Sequence, residues 1–131
     1  MDPVRKSPRS WRCKFRDAFR GIKRGVRGHS SFYVHFFFAV LAIVAGLVLP
    51  DCKPIEWCLI AGCIGAVFVA ELFNSALETL FHGLDEETKG RIKGCLDIAA
   101  GAVLVVALTA VVIGTLVFVP RLRMLLGSTS G

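Results

Sequence analysis

The amino-acid sequence predicts an all-α membrane protein with three transmembrane helices and an N-terminal amphipathic surface helix. The 131 residues are 54% hydrophobic, which is more apolar than a typical soluble domain, and they leave room for one domain. Charge is segregated, because ten of the sixteen Lys and Arg residues lie within residues 1–31 and none lies within Phe32–Leu49. This combination is typical of a chain with lipid-facing spans and one basic, water-exposed end.

The net charge of +6 indicates anionic partners. Soluble nucleic-acid-binding proteins lack long uncharged apolar runs, so nucleic acid is not an expected partner. Anionic lipid headgroups and nucleotide phosphates fit the sequence better.

The N-terminal region divides into two parts. Residues 1–10 contain two prolines together with serines and basic residues, and are predicted to be disordered. Residues 11–28 place apolar side chains at helical spacing, and arginines and lysines fill most of the remaining positions. The apolar members are Trp11, Phe15, Ala18, Phe19, Ile22 and Val26. This pattern predicts a basic amphipathic helix that lies on the membrane surface.

The first two spans are separated by a proline-bounded turn. Residues 32–49 form an eighteen-residue apolar run, which is long enough to cross a bilayer with some local thinning. Proline at both ends of residues 50–54 disfavours continued helix there. A second helix is predicted for residues 55–81, apolar in its first half and carrying three polar side chains in its second.

The third span is predicted for residues 96–119, after a polar link over residues 83–94. Pro120 is expected to stop this helix, and residues 123–131 form a short tail. Ten Lys and Arg residues lie in the N-terminal segment and three in the link, against one in the 50–54 turn and two after the third span. Because positive charge favours the cytoplasmic side, the N-terminus and the link are predicted to be cytoplasmic.

Four oxygen-bearing side chains are candidates for chemistry. Glu71, Asn74 and Glu78 have i, i+3 and i+7 spacing, so they project from one face of the second helix. A charged side chain costs about 2.5–3.5 kcal/mol to insert near the bilayer centre, so these groups should face other helices or a water-filled cleft. Asp97, at the start of the third helix, is expected to join them. Such an oxygen-rich site suits Mg²⁺ bound together with substrate phosphates. By spacing alone, the same face also fits helix–helix contact or an ion pathway.

Several segments resemble one protein family. The stretch from Glu71 to Glu78 is similar to the ExxNSAxE signature of the prokaryotic diacylglycerol kinase family, which includes undecaprenol kinases. Residues 97–103 resemble the family's aspartate-led entry to its third helix. The Ile55-Glu56-Trp57 and Pro120-Arg121-Leu122 segments look like the undecaprenol kinase branch. The resemblance covers about residues 11–122.

The resemblance implies a fold and an activity. The family has three membrane helices and a surface helix, assembles as homotrimers with active sites between subunits, and transfers the γ-phosphoryl group of MgATP to a lipid hydroxyl. It implies that Glu71 is the general base, Asn74 a positioning group, Glu78 a ligand of the ATP-bound metal, and Asp97 part of the nucleotide site. The implied protein is an ATP- and Mg²⁺-dependent kinase of diacylglycerol or undecaprenol in a bacterial cytoplasmic membrane.

Three positions depart from the family pattern. His29 stands where the family has a glutamate that helps to hold metal, His82 where it has an aspartate, and Leu96 where it has a lysine. Lys93, one turn before Leu96, is expected to replace that lysine as a phosphate partner, with Arg91 as the alternative. Histidine is a poorer Mg²⁺ ligand than carboxylate, so Mn²⁺ or Zn²⁺ is an alternative ion for a site that includes His29. A non-catalytic membrane scaffold of the same fold is the alternative function.

Overall fold

The computed structural model describes residues 10–28 and 30–128. Within these residues it contains helices and no strand. The helices are α1 (Trp11–Gly28), α2 (Ser31–Val48), α3 (Pro54–His82) and α4 (Glu86–Ser128). Helices α2, α3 and α4 are each long and apolar enough to cross a membrane. The predicted all-α membrane fold, with three spans and an N-terminal surface helix, is confirmed. All but the last of residues 1–10, for which disorder is predicted, lie outside the described part of the chain.

Helix α1 presents an apolar face and contacts α3 near its C-terminal end. The aromatic side chains of Trp11, Phe15 and Phe19 are 62–72% exposed, as expected of side chains that enter a membrane surface. Gly25 allows α1 to approach α3 closely, because a Cβ atom at this position would lie 2.7 Å from Leu72 Cδ2. Helix α1 therefore lies against the half of α3 that carries the candidate polar residues.

Helix α3 packs against α2 and α4 through buried apolar side chains and one close glycine contact. The rings of Phe32 on α2 and Phe68 on α3 stack with their centroids 5.6 Å apart. Gly46 leaves room for Trp57, since a Cβ atom at Gly46 would lie 2.9 Å from the indole ring. Many large apolar side chains on the other faces of α2 and α4 are exposed, which suits helices surrounded by lipid.

The turn between α2 and α3 matches the proline-bounded break expected from the sequence. Helix α2 ends at Val48 and α3 begins at Pro54. Asp51 has a φ of 60°, a left-handed conformation that aspartate adopts more readily than most residues. Pro54 occupies the first helical turn, where its missing N–H removes no helical hydrogen bond.

Helix α4 differs from the predicted third span at both ends. It begins at Glu86 rather than at residue 96, departs from helical geometry at Ile92 (φ −112°, ψ 15°), and continues through Pro120. The prediction that Pro120 stops the helix is wrong. Proline removes one helical hydrogen bond here without ending the helix. The buried side chain of Arg121, the next residue, donates a hydrogen bond to the Val117 carbonyl oxygen, one turn earlier in the same helix.

Asp85 caps the start of α4. Its Oδ1 accepts a hydrogen bond from the Thr88 backbone N–H over 3.0 Å, and its Oδ2 accepts one from Thr88 Oγ1 over 2.7 Å. These hydrogen bonds, the backbone one above all, hold the pKa of Asp85 below its usual value because they stabilise the ionised carboxylate.

Candidate active site

Glu71 is buried where α3 packs against α2. It is 2% exposed, and both of its carboxylate oxygens contact polar groups of α2. His35 Nε2 lies 2.8 Å from Oε1, and Ser31 Oγ donates a hydrogen bond to Oε2 over 3.2 Å. A buried carboxylate within a membrane span needs such partners. The sequence-predicted base therefore faces α2, and its two oxygens are held there.

Asn74 and Glu78 form a second polar pair further along α3. Asn74 Nδ2 donates to Glu78 Oε1 over 2.9 Å, and both residues are half-buried. The other amide atom, Asn74 Oδ1, is buried and accepts no hydrogen bond from the described residues. Because buried polar atoms normally have a partner, this oxygen is an acceptor open to a ligand.

This pair has the chemistry of a site for a hard divalent cation. Mg²⁺ is usually bound through one or two carboxylates together with substrate phosphates and water. The open Asn74 Oδ1 and the Glu78 carboxylate belong to hydrogen-bonded side chains and supply such oxygens. In the part of the chain that the structure describes, no group of three His, Cys, Asp or Glu residues could hold a metal ion. An ion at Glu78 would thus depend on substrate oxygens, and His29, the other predicted ligand, lies outside that part.

Asp97 and Lys93 do not join these groups within the described chain. Both side chains are exposed, and neither has a hydrogen bond or ion pair with another described residue. They follow the irregular backbone at Ile92. The structure therefore pairs Asn74 with Glu78, directs Glu71 to α2, and shows no polar contact between these residues and Asp97 or Lys93.

His82 lies beside Glu78 at the end of α3. Its Nδ1 is 2.7 Å from the Glu78 backbone carbonyl oxygen. Since a carbonyl can only accept, Nδ1 carries the hydrogen in this contact. The imidazole is exposed and packs edge-on against Phe81, with ring centroids 6.3 Å apart.

An apolar cavity of about 350 Å³ lies between α2, α3 and α4. Its lining includes Val67 and Phe68, one turn before Glu71 on α3, and Gly114 on α4. His35 on α2 is also among its lining residues. The imidazole that contacts Glu71 therefore also borders a space suited to hydrocarbon.

A second buried polar cluster lies at the opposite end of α3. Arg121 is 6% exposed, forms an ion pair with Glu56, and donates to the Asp51 carbonyl oxygen over 3.1 Å. Glu56 also accepts a hydrogen bond from the Lys53 backbone N–H over 2.7 Å. This cluster fastens α4 to the start of α3 and to the preceding turn.

Three of these contacts were not anticipated from the sequence, namely those of Glu71 with Ser31 and His35 and that of Arg121 with Glu56. Ser31 and His35 could have been identified as partners, because a histidine within an apolar span is costly in hydrocarbon and indicates a polar contact. The pairing of Arg121 with Glu56 has no local signal, since the two residues are 65 positions apart.

Known proteins resemble this chain over most of its length. Residues 16–118 match the family described as prokaryotic diacylglycerol kinase. An undecaprenol kinase from Bacillus subtilis is 34% identical over 108 residues, which are 82% of this chain and 87% of that protein. A diacylglycerol kinase from Synechocystis is 31% identical over 120 residues, which are 86% of this chain and 64% of that protein. No solved structure matches the chain. With the signature residues of α3 within the matched region, the chain belongs to the prokaryotic diacylglycerol kinase family.

Proposed function

We propose that this chain is a lipid kinase that transfers the γ-phosphoryl group of ATP to the hydroxyl of diacylglycerol or undecaprenol. The observation that carries the proposal is the position of Glu71, which is buried, held by Ser31 and His35, and one turn from an apolar cavity. A lipid acceptor needs hydrocarbon-like surroundings for its chain and a base near its hydroxyl. The two relatives, an undecaprenol kinase and a diacylglycerol kinase, support the same class of acceptor.

Glu71 is proposed as the general base. The acceptor hydroxyl gives its proton to the Glu71 carboxylate while its oxygen forms a bond to the γ-phosphorus. The bond between that phosphorus and the bridging oxygen of ATP breaks, and ADP leaves with the electron pair. Such transfers depend mainly on positioning and on neutralisation of phosphate charge.

Asn74 and Glu78 are proposed to hold the divalent ion that accompanies ATP, with His29 as a further ligand. When bound, Mg²⁺ would neutralise charge on the phosphates. Asn74 Nδ2 orients the Glu78 carboxylate, and Asn74 Oδ1 supplies a second oxygen. Mn²⁺ and Zn²⁺ are the alternative ions, because His29 replaces a carboxylate of the family pattern.

Lys93 and Asp97 are proposed to contact the nucleotide in a homotrimer. Both are exposed and make no polar contact within the described chain, so they are accessible to a site formed between two copies. The side-chain ammonium of Lys93 would pair with phosphate oxygens.

The reaction is proposed to occur at the cytoplasmic face of a bacterial inner membrane. The basic helix α1 and the basic residues Lys89, Arg91 and Lys93 near the start of α4 support this orientation, because cytoplasmic segments carry an excess of Lys and Arg. A reporter fused after Gly131 should then lie outside the cytoplasm, and one inserted in residues 85–89 should lie inside. A cytoplasmic C-terminus would contradict the orientation.

A transfer assay with purified protein tests the function. Radiolabelled ATP and Mg²⁺ are supplied with vesicles that contain either diacylglycerol or undecaprenol, and labelled lipid is separated from ATP. Labelled product with at least one acceptor is expected, and the ratio of the two rates identifies the preferred lipid. Absence of product with both lipids in Mg²⁺, Mn²⁺ and Zn²⁺ would overturn the proposal and favour a non-catalytic scaffold.

A further inference from the structure

His35 contacts both the candidate base and the apolar cavity. Its Nε2 lies 2.8 Å from Glu71 Oε1, and the same side chain lines the cavity between α2, α3 and α4. The side chain of His35 is 19% exposed, whereas that of Glu71 is 2% exposed. The imidazole therefore lies between the buried carboxylate and the space proposed for the lipid chain.

The two oxygens of Glu71 are held in different ways. An ionised carboxylate oxygen can only accept, so Nε2 carries the hydrogen that bonds Oε1. That hydrogen is fixed in the plane of a rigid ring and cannot leave Oε1 unless the whole imidazole turns. The hydroxyl hydrogen of Ser31, which bonds Oε2 over 3.2 Å, rotates about a single bond, and Ser31 is exposed. Oε2 is therefore the oxygen that another hydroxyl can reach.

We propose that His35 is a positioning residue, which fixes Glu71 Oε1 so that Oε2 receives the proton of the lipid hydroxyl. This inference rests on the proposed lipid kinase function. Among the described residues, His35 is the one basic side chain within ion-pair distance of Glu71. The orientation of the carboxylate therefore depends on this imidazole and on Ser31.

Kinetic measurements on two substitutions of His35 separate positioning from general packing. His35→Leu removes the donor and fills similar space, and should lower kcat by about 10²-fold, as a misplaced reacting group does. The KM for lipid should change much less, because the acceptor chain still has its cavity. His35→Gln keeps an N–H donor and should restore much of the lost kcat. Tyr33→Leu, an exposed substitution on the same helix, should leave both constants unchanged.

A spectroscopic measurement tests the contact without relying on turnover. In protein with ¹⁵N-labelled histidine, the resonances of His35 are assigned by their loss in His35→Gln. Glu71→Gln should shift these resonances, and Glu87→Gln, on the exposed first turn of α4, should not.

The outcomes distinguish failure of this inference from failure of the proposed function. A wild type that phosphorylates neither lipid would overturn both the function and the positioning role, even if the ¹⁵N shift shows the contact. If His35→Leu has the kcat of the wild type, or if the His35 resonances do not shift in Glu71→Gln, the inference is overturned. The proposed kinase function is unaffected by either result. If His35→Leu does not fold, His35→Gln and the spectrum of Glu71→Gln still decide the question.

Discussion

Replacement of Glu71 by glutamine tests the proposed base with little disturbance of its surroundings. Glutamine has the shape of glutamate, and its amide oxygen can accept the hydrogen bond from His35 Nε2. Its amide NH₂ can donate to Ser31 Oγ, because a hydroxyl both donates and accepts. Both hydrogen bonds observed at Glu71 are therefore retained, with the Ser31 bond reversed, while the ability to take up a proton is lost.

The expected effects on folding and on rate differ in size. Each hydrogen bond is weaker by about 1 kcal/mol when the charged carboxylate is replaced by a neutral amide. A neutral amide also costs less to bury than a carboxylate at a site that is 2% exposed. These two changes oppose each other, so thermal stability should change little. Loss of a general base lowers kcat by about 10²–10⁴-fold, which corresponds to about 2.7–5.4 kcal/mol in the activation barrier.

Initial rates of lipid phosphorylation at saturating ATP and acceptor measure kcat, and thermal unfolding in the same detergent measures stability. Glu87→Gln serves as the matched control, because it makes the same chemical change on a side chain that is 77% exposed. If Glu71→Gln turns over within about tenfold of the wild type, the assignment of the base is refuted, since that lies below the usual range for general-base loss. Loss of activity together with loss of folding would instead assign Glu71 to helix packing.

Three further substitutions test the metal site, the packing of α2 on α3, and the cap of α4. Glu78→Ala should lower the rate and raise the Mg²⁺ concentration needed for half-maximal activity, because the ion loses a carboxylate ligand; an unchanged Mg²⁺ requirement would contradict this role. Gly46→Ala should lower the free energy of unfolding by about 1–3 kcal/mol, because its Cβ would lie 2.9 Å from the Trp57 ring. Gly62→Ala, where nothing lies within 4 Å, should not destabilise, and equal melting temperatures of the two variants would argue against the packing. Asp85→Ala should speed amide hydrogen exchange in the first turn of α4 at neutral pH, because the helix loses its cap. Since the pKa of Asp85 is lowered, the difference in exchange rate between variant and wild type should narrow only as the pH falls below the usual value of 3.8. A difference that narrows at higher pH would contradict the cap.

The membrane helices could be predicted from the sequence because their signals are local. Apolar runs give the spans, and the prolines of the 50–54 turn give the break before α3. The continuation of α4 through Pro120 could not be predicted in this way, because it depends on tertiary contacts. Arg121 reaches Glu56 and the Asp51 carbonyl, 65 and 70 positions away, and no spacing rule indicates such a partner.

The shared helix face of the predicted site residues follows from the sequence, but the contacts of these residues do not. The spacing of Glu71, Asn74 and Glu78 gives a shared helix face. It does not give the rotation of α3 relative to α2, which depends on packing contacts such as the Phe32–Phe68 stack. That rotation directs Glu71 to α2 and leaves Asn74 to pair with Glu78.

One face of α3 links the two polar clusters to the cavity. Glu56, Ile60, Val67 and Glu71 follow one another at spacings of four or seven residues, so they lie on the same side of the helix. At one end of this face Glu56 pairs with Arg121 of α4, and at the other end Glu71 contacts His35 of α2. Ile60 and Val67 line the cavity between these ends. Residues of α4 form the opposite wall of the cavity, and the ion pair between Arg121 and Glu56 joins α4 to α3. The distant ion pair therefore helps to fix the two helices that border the cavity.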